Sequence, residues 1–147
     1  MDIGRNHIEY TRNHLRKQNI RNVGCMHMGY ADFSRVHNEN VNKIYSPAVF
    51  IHFNLWDIVN YLYAIYEILP AGGMFHFNIM EAEKIDLNSN EHFQKNLNKY
   101  RHSLSSRYLV TWNSFQAISN FTEQMGFNCK RTHEWKNGNS GLLLTKK

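Results

Sequence analysis

The chain has 147 residues, 42% of them hydrophobic and 14% aromatic, so it suits one domain, residues 1–147, with a packed core. No apolar run is long enough to span a bilayer and no signal-peptide pattern is present, so no membrane partner is expected. The formal charge of +5 and the pI near 9.3 permit an acidic ligand or nucleic acid without requiring either. Cys25 and Cys129 match no metal spacing and no disulfide framework. Both read as reduced, partly buried thiols, and a cytoplasmic protein is the expectation.

Residues 5–18 read as a helix with Ile8, Thr11 and Leu15 on one face. Residues 22–28, NVGCMHM, read as a short strand. The polar GYADFSRVHNENVN stretch is a loop, and residues 43–53, KIYSPAVFIHF, an apolar strand. The clearest helix follows. Leu55, Ile58, Val59, Leu62, Ile65, Tyr66 and Leu69 keep helical spacing, Asn54 is placed to cap them, and Asp57 suits the positive end of the helix dipole. The sequence YEILPAGGMFHF then runs from helix through a tight stop into alternation. Proline cannot continue a helix, and glycine accepts the left-handed backbone just past a helix end. Residues 74–80 read as a strand. Helices are expected over 91–104, with Phe93, Leu97, Tyr100 and Leu104 in phase, and over 114–125, with Phe115, Ile118, Thr122 and Met125 in phase. The end of the chain reads as a hairpin, for which Asn137-Gly138 is the turn signal.

Strands alternating with helices predict an α/β fold, a parallel sheet with helices on both faces and a terminal antiparallel hairpin. Such a sheet binds ligands at the carboxyl ends of its strands.

The stretch KIYSPAVFIHFNLWDIVNYLYAIYEILPAGGMFHFNI, with its Leu69-Pro70-Ala71-Gly72-Gly73 turn, resembles the central signature of the class I S-adenosylmethionine-dependent methyltransferases. MGFNCKRTHEWKNGNSGLLLTKK resembles that family's closing hairpin. DIGRNHIEYTRNHLRKQNIRNV resembles its segment from the ribose-binding acid into a helix, and GYADFS resembles its adenine-side loop. The resemblance covers nearly the whole chain. It implies a Rossmann-like sheet, mostly parallel with a C-terminal antiparallel hairpin, and S-adenosylmethionine as cofactor. It departs at the start. The family's Glu/Asp-x-Gly-x-Gly loop is absent from these residues, and the sequence opens about where the family's second strand ends. The expectation is an N-terminally truncated fold. It is either the C-terminal portion of a longer methyltransferase or a truncated relative.

The resemblance also implies site residues. Asp2 has two oxygens for ribose hydroxyls, against a terminal residue with no role. Asp32 is placed to accept from the adenine amino group, with Ala31 and Phe33 beside the ring, against a solvated loop aspartate. Ser46 and Pro47 fall under the methionine part of the cofactor, against simple strand geometry. Ser-Pro-Ala-Val lacks the second proline and the aromatic of the Asn/Asp-Pro-Pro-Tyr motif of amino-methylating enzymes. His52 is either a general base, its pKa being near neutral, or a structural histidine before the following helix. Tyr61, Tyr63 and Tyr66 read as packing and surface residues. Arg5, Arg12, Arg16, Lys17 and Arg21, interrupted by Glu9, read as a solvated face rather than a nucleic-acid stripe.

The function expected is therefore methyl transfer to a small-molecule or sugar-like substrate, with residues 81–111 as a substrate-covering insert. The alternatives are a non-catalytic binding or assembly module and a nucleic-acid methyltransferase. Nucleic acid is not the expected partner. An open strand edge at residues 43–51 predicts self-association.

Overall fold

The computed structural model describes residues 5–27, 29–36, 40–85, 91, 94–95, 97–98, 110–135 and 138–147. Helix α1 is Arg5–Lys17, β1 is Lys43–Ser46, α2 is Leu55–Ile68 and β2 is Met74–Glu81. They are followed by β3, Trp112–Asn113, helix α3, Phe115–Gln124, and the strands β4, Phe127–Glu134, and β5, Asn139–Lys146. Short single turns of tighter helix lie at Ser34–Val36, Phe50–His52 and Ala82–Lys84.

The strand order is β1-β2-β5-β4. β1 runs parallel to β2, with Ile44 opposite Phe75. β5 runs antiparallel between β2 and β4. β3 adds two residues parallel to the end of β2, with Trp112 opposite Met80. The sheet is thus parallel where helices intervene and antiparallel at the hairpin, as expected.

Alternation sorts β2 into two faces. Phe75, Phe77 and Ile79 point to one side, with Leu142 and Leu144 of β5 and Phe127 of β4. That side is covered by Ile58, Leu62 and Ile65 of α2 and Ile118 of α3, and these residues form one buried core. α2 and α3 both lie on this face, whereas helices on both faces were expected. On the opposite face Tyr45 and Trp135 are 70% and 51% exposed.

The helix ends follow from their sequence. Asn54 Oδ1 accepts from the Asp57 amide at 3.0 Å and opens α2. Ser114 Oγ accepts from the Ala117 amide at 3.1 Å and opens α3. After α2 the chain turns through Gly72, whose φ is +76°. The Gly72 amide donates to the Lys146 carbonyl at 2.9 Å. Lys146 reaches back, and its Nζ donates to the Tyr66 and Leu69 carbonyls, each at 2.7 Å, while lying over the Tyr66 ring. These are carbonyls that a helix end leaves unpaired. The Pro-Ala-Gly-Gly joint is therefore fastened to the last strand of the sheet.

Two further expectations are corrected, and one pairing is new. The strand over residues 22–28 is not formed among the described residues. His27 makes one isolated bridge and residues 23–26 join no ladder. A lone extended run gains little without a neighbour to accept its backbone groups, and Val23 is exposed. The strand over 43–53 ends at Ser46, because Pro47 brings no N–H to a ladder and Ala48 takes a left-handed φ of +56°. The pairing of Trp112–Asn113 was not expected. Of the helix over 91–104, residues 91, 94–95 and 97–98 are helical, while Phe93, Tyr100 and Leu104 lie outside the described residues.

Candidate cofactor and substrate site

The carboxyl ends of β1 and β2 bring the second half of the expected site together. Ser46 is the last residue of β1 and is half-buried, and Pro47 is exposed in the turn beyond it. Ala48 follows in its left-handed conformation, which an alanine adopts only at a cost of about 1 kcal/mol or more. The Ala48 amide donates to Asn78 Oδ1 at 3.3 Å. Asn78 is only 6% exposed, and its Nδ2 donates to Asn139 Oδ1 at 3.1 Å. A buried amide on the central strand thus ties the turn after β1 to the hairpin.

The segment beyond is held in a similar way. The Thr111 amide donates to the Ile51 carbonyl at 2.7 Å, and Thr111 Oγ1 to the His52 carbonyl at 3.3 Å. Buried Asn113 donates from Nδ2 to the Phe53 carbonyl at 2.9 Å. β3 therefore clamps the backbone of residues 51–53, and His52 presents an exposed side chain from a fixed main chain.

The loop at residues 29–36 packs on the same part of α2. Tyr61 is the hub. The rings of Tyr30, Phe33, Phe50 and Phe53 all lie within 6.2 Å of its centroid. Phe33 is 8% exposed and belongs to the core, and Ala31 is half-buried at a φ of +47°. Beside Asp32 the exposed ring is that of Tyr30, whose hydroxyl donates to the Asp57 carboxylate. That bond, with some burial, raises the Tyr30 pKa. Asp32 is exposed. Its Oδ1 accepts from the Ser34 amide at 3.0 Å, and hydrogen bonds from the Ser34 side chain and backbone lower its pKa. It is an ionised acceptor with capacity left for a ligand N–H. Asp2 lies outside the described residues.

Below the end of β2 sits a charged cluster that sequence reading missed. Glu81 is 1% exposed. Its Oε2 accepts from Arg131 Nη2 at 2.9 Å, and its Oε1 lies 2.9 Å from Arg131 Nε, a contact that lacks hydrogen-bond alignment and is ionic. Lys84 Nζ is 3.3 Å from Glu81 and 3.0 Å from Glu134, and it donates to Ser140 Oγ. Arg131 also lies over the Phe115 ring. Glu83 accepts from Ser114 Oγ and from the Phe115 amide at the start of α3. Burial raises the Glu83 pKa, and these bonds outweigh it, so the net shift is downward. The cluster fixes α3 against the sheet. The sequence signal was a polar residue in an otherwise apolar strand, which holds for Asn78 as well as Glu81.

No family model matches the chain, and no curated protein matches its sequence. Solved structures match its fold. The YcgJ protein from Bacillus subtilis superposes with a TM-score of 0.73 at 12% identity, over 99% of this chain and 80% of its own. An O-methyltransferase family protein from Burkholderia thailandensis gives 0.69 at 9% identity, over 99% of this chain. The chain has the class I methyltransferase fold. The magnesium protoporphyrin IX methyltransferase from Synechocystis PCC 6803, solved with bound SAH, gives 0.61 at 10% identity, over 95% of this chain. This methyltransferase-fold chain spans 42% of the Burkholderia protein and 58% of the Synechocystis one.

Proposed function

We propose that the chain is an S-adenosylmethionine-dependent methyltransferase, or the carboxyl-terminal portion of one, acting on a small-molecule or sugar-like substrate. The observation that carries this reading is the class I methyltransferase fold, with a tethered turn, Ser46–Ala48, at the carboxyl end of β1, where such a sheet takes its ligand, and an ionised acceptor, Asp32, in the loop that packs on α2. The cofactor, when bound, supplies an electrophilic sulfonium methyl group. The protein's part is alignment of the nucleophile with that methyl. Asp32 accepts from the adenine amino group, with Tyr30 as the exposed neighbouring ring. Asp2 accepts from the ribose hydroxyls. Ser46 and Pro47 lie under the methionine part. His52 takes the proton of the substrate hydroxyl or amine.

The test is a calorimetric titration of S-adenosylhomocysteine into the chain and into Asp32→Ala. Saturable binding that weakens several-fold in the variant is expected. Equal affinities would remove Asp32 from the site. A second reading, a non-catalytic binding or assembly module, is favoured by one observation. No Glu/Asp-x-Gly-x-Gly stretch occurs in the 147 residues, so the backbone that cradles the methionine end in the family has no counterpart in them. Restoration of tight binding by an added upstream strand and glycine loop would support the first reading over the second. A second copy of the chain is the proposed partner at β1. β1 stands at the end of the strand order, paired with β2, beside exposed Tyr45. Light scattering tests this, and a monomer at high concentration would refute it.

A further inference from the structure

Away from the strand ends, an open hollow of about 280 Å³ lies between α1 and the residues His27 and Arg35, lined by Arg5, Ile8, Glu9, Arg12, His27 and Arg35. Helical spacing puts Arg5, Ile8, Glu9 and Arg12 on one face of α1. Ile8 is buried. Arg35 comes from the opposite wall.

Two of the guanidinium groups are held by backbone. Arg12 Nη2 donates to the Cys25 carbonyl at 2.9 Å, and Arg35 Nη1 to the His27 carbonyl at 3.4 Å. Each anchor uses one edge of a planar fork and leaves the remaining N–H donors for another acceptor. Among the described residues Glu9 forms no ion pair with Arg5, Arg12 or Arg35, although it shares a helix face with the first two. Three cations thus meet one carboxylate in the lining. Asp32, whose charge interacts with Arg35, offsets part of the excess from outside the hollow. The hollow is left with a positive surplus, two guanidinium groups anchored to backbone and buried Ile8 in its lining.

We propose that this hollow binds a phosphate group carried by a small ligand. Arg12 and Arg35 hold the phosphate oxygens through their outward N–H groups, the geometry in which guanidinium surpasses ammonium. Arg5 adds charge at the rim. Glu9 opposes the dianion, and so limits the affinity. The inference does not rest on the methyltransferase reading, because a sulfonium cofactor brings no phosphate.

The test is an NMR titration of the isotopically labelled chain, following the arginine Nε–H signals, with glycerol phosphate, inorganic phosphate and glycerol as separate probes. Saturable shifts of the Arg12 and Arg35 signals are expected with both phosphates and not with glycerol. Tighter binding of the ester identifies an organic phosphate, and equal affinity identifies free phosphate. Arg12→Gln and Arg35→Gln should each weaken binding by about tenfold, the value of a charge-assisted contact. Lys130→Gln on β4, which alters net charge equally, should leave it unchanged. Glu9→Gln removes an exposed carboxylate without touching either anchor, so it should fold normally and bind several-fold more tightly. Absence of saturation, equal effects of the arginine and Lys130 variants, unchanged affinity in Glu9→Gln, or binding of an RNA oligomer alone would overturn the proposal.

Discussion

Glu81→Gln is the sharpest probe of the architecture. The wild-type carboxylate is 1% exposed and meets Arg131 at two points, each 2.9 Å, and Lys84 at 3.3 Å. At an effective dielectric constant near 20, a charge pair at such a separation is worth about 5–6 kcal/mol before desolvation. Taking a carboxylate out of water cancels much of this, which is why such pairs stabilise little in net terms. Removing one partner is different, because Arg131 and Lys84 then share only the half-exposed Glu134, 3.0 Å from each, as counter-charge. A fully buried pair loses about 3–5 kcal/mol in that way. Arg131 and Lys84 keep 33% and 26% of their side-chain surface in water, and this screens them. The expected loss is therefore about 2–3 kcal/mol, or a fall in Tm of roughly 5–10 °C for a chain of this size. Urea unfolding of both proteins measures it. The double variant Glu81→Leu with Arg131→Met should recover much of the loss suffered by Glu81→Leu alone, since an apolar pair replaces the ionic one without a stranded charge. A loss below about 1 kcal/mol, or no recovery in the double variant, would refute the ionic account.

Burial, then the neighbouring His133, lowers the His76 pKa below 6.5, so the unfolded chain binds that proton first as pH falls. Stability should decline as pH drops below 6.5, and less steeply in His76→Gln, as measured by urea unfolding on both sides of that value. Gly141→Ala places a methyl 2.2 Å from His133 Cε1 and 2.6 Å from Thr132 Oγ1, so His133 must leave its place over β5. The expected cost is about 1–3 kcal/mol by thermal unfolding, with changed imidazole NMR signals for His76 as well. His52→Ala should cut methyl transfer about a hundredfold while leaving S-adenosylhomocysteine affinity unchanged. A loss of stability without that split would make the histidine structural.

What the sequence disclosed follows the reach of local rules. The span of α2 could be read from its spacing and Asn54, since cap and stripe are both encoded within a few residues. The joint at Leu69–Gly73 could be read as helix stop and strand start. Its attachment by Lys146 could not, because that contact spans more than half the chain. The end of β1 was misjudged for a related reason. Residues 43–53 are apolar enough for one long strand, but Pro47 has no amide for a ladder, and Asn78 on another strand holds Ala48 in the left-handed region. Residues 22–26 show the converse. Their composition suits a strand, and strand formation needs a partner that no local pattern announces.

The same distinction governs the candidate site. Ser46 and Pro47 were proposed from the resemblance, within a run expected to be one strand to residue 53, and Asp32 because its loop resembles a known one. Asn78 and Asn113 were missed, although they set the backbone that Ser46 and His52 stand on. A polar residue on a buried strand face must find a partner, and here each partner is main chain or a second amide from a different element. Their role is to hold position. Removing the Asn78 amide would free the turn after β1 without touching any ligand atom. Alignment is most of what a methyl-transfer site supplies, so loss of that tether should act on turnover through geometry rather than through chemistry. The resemblance picks out the residues proposed to touch ligand, and the buried amides that hold their backbone are visible only in the fold.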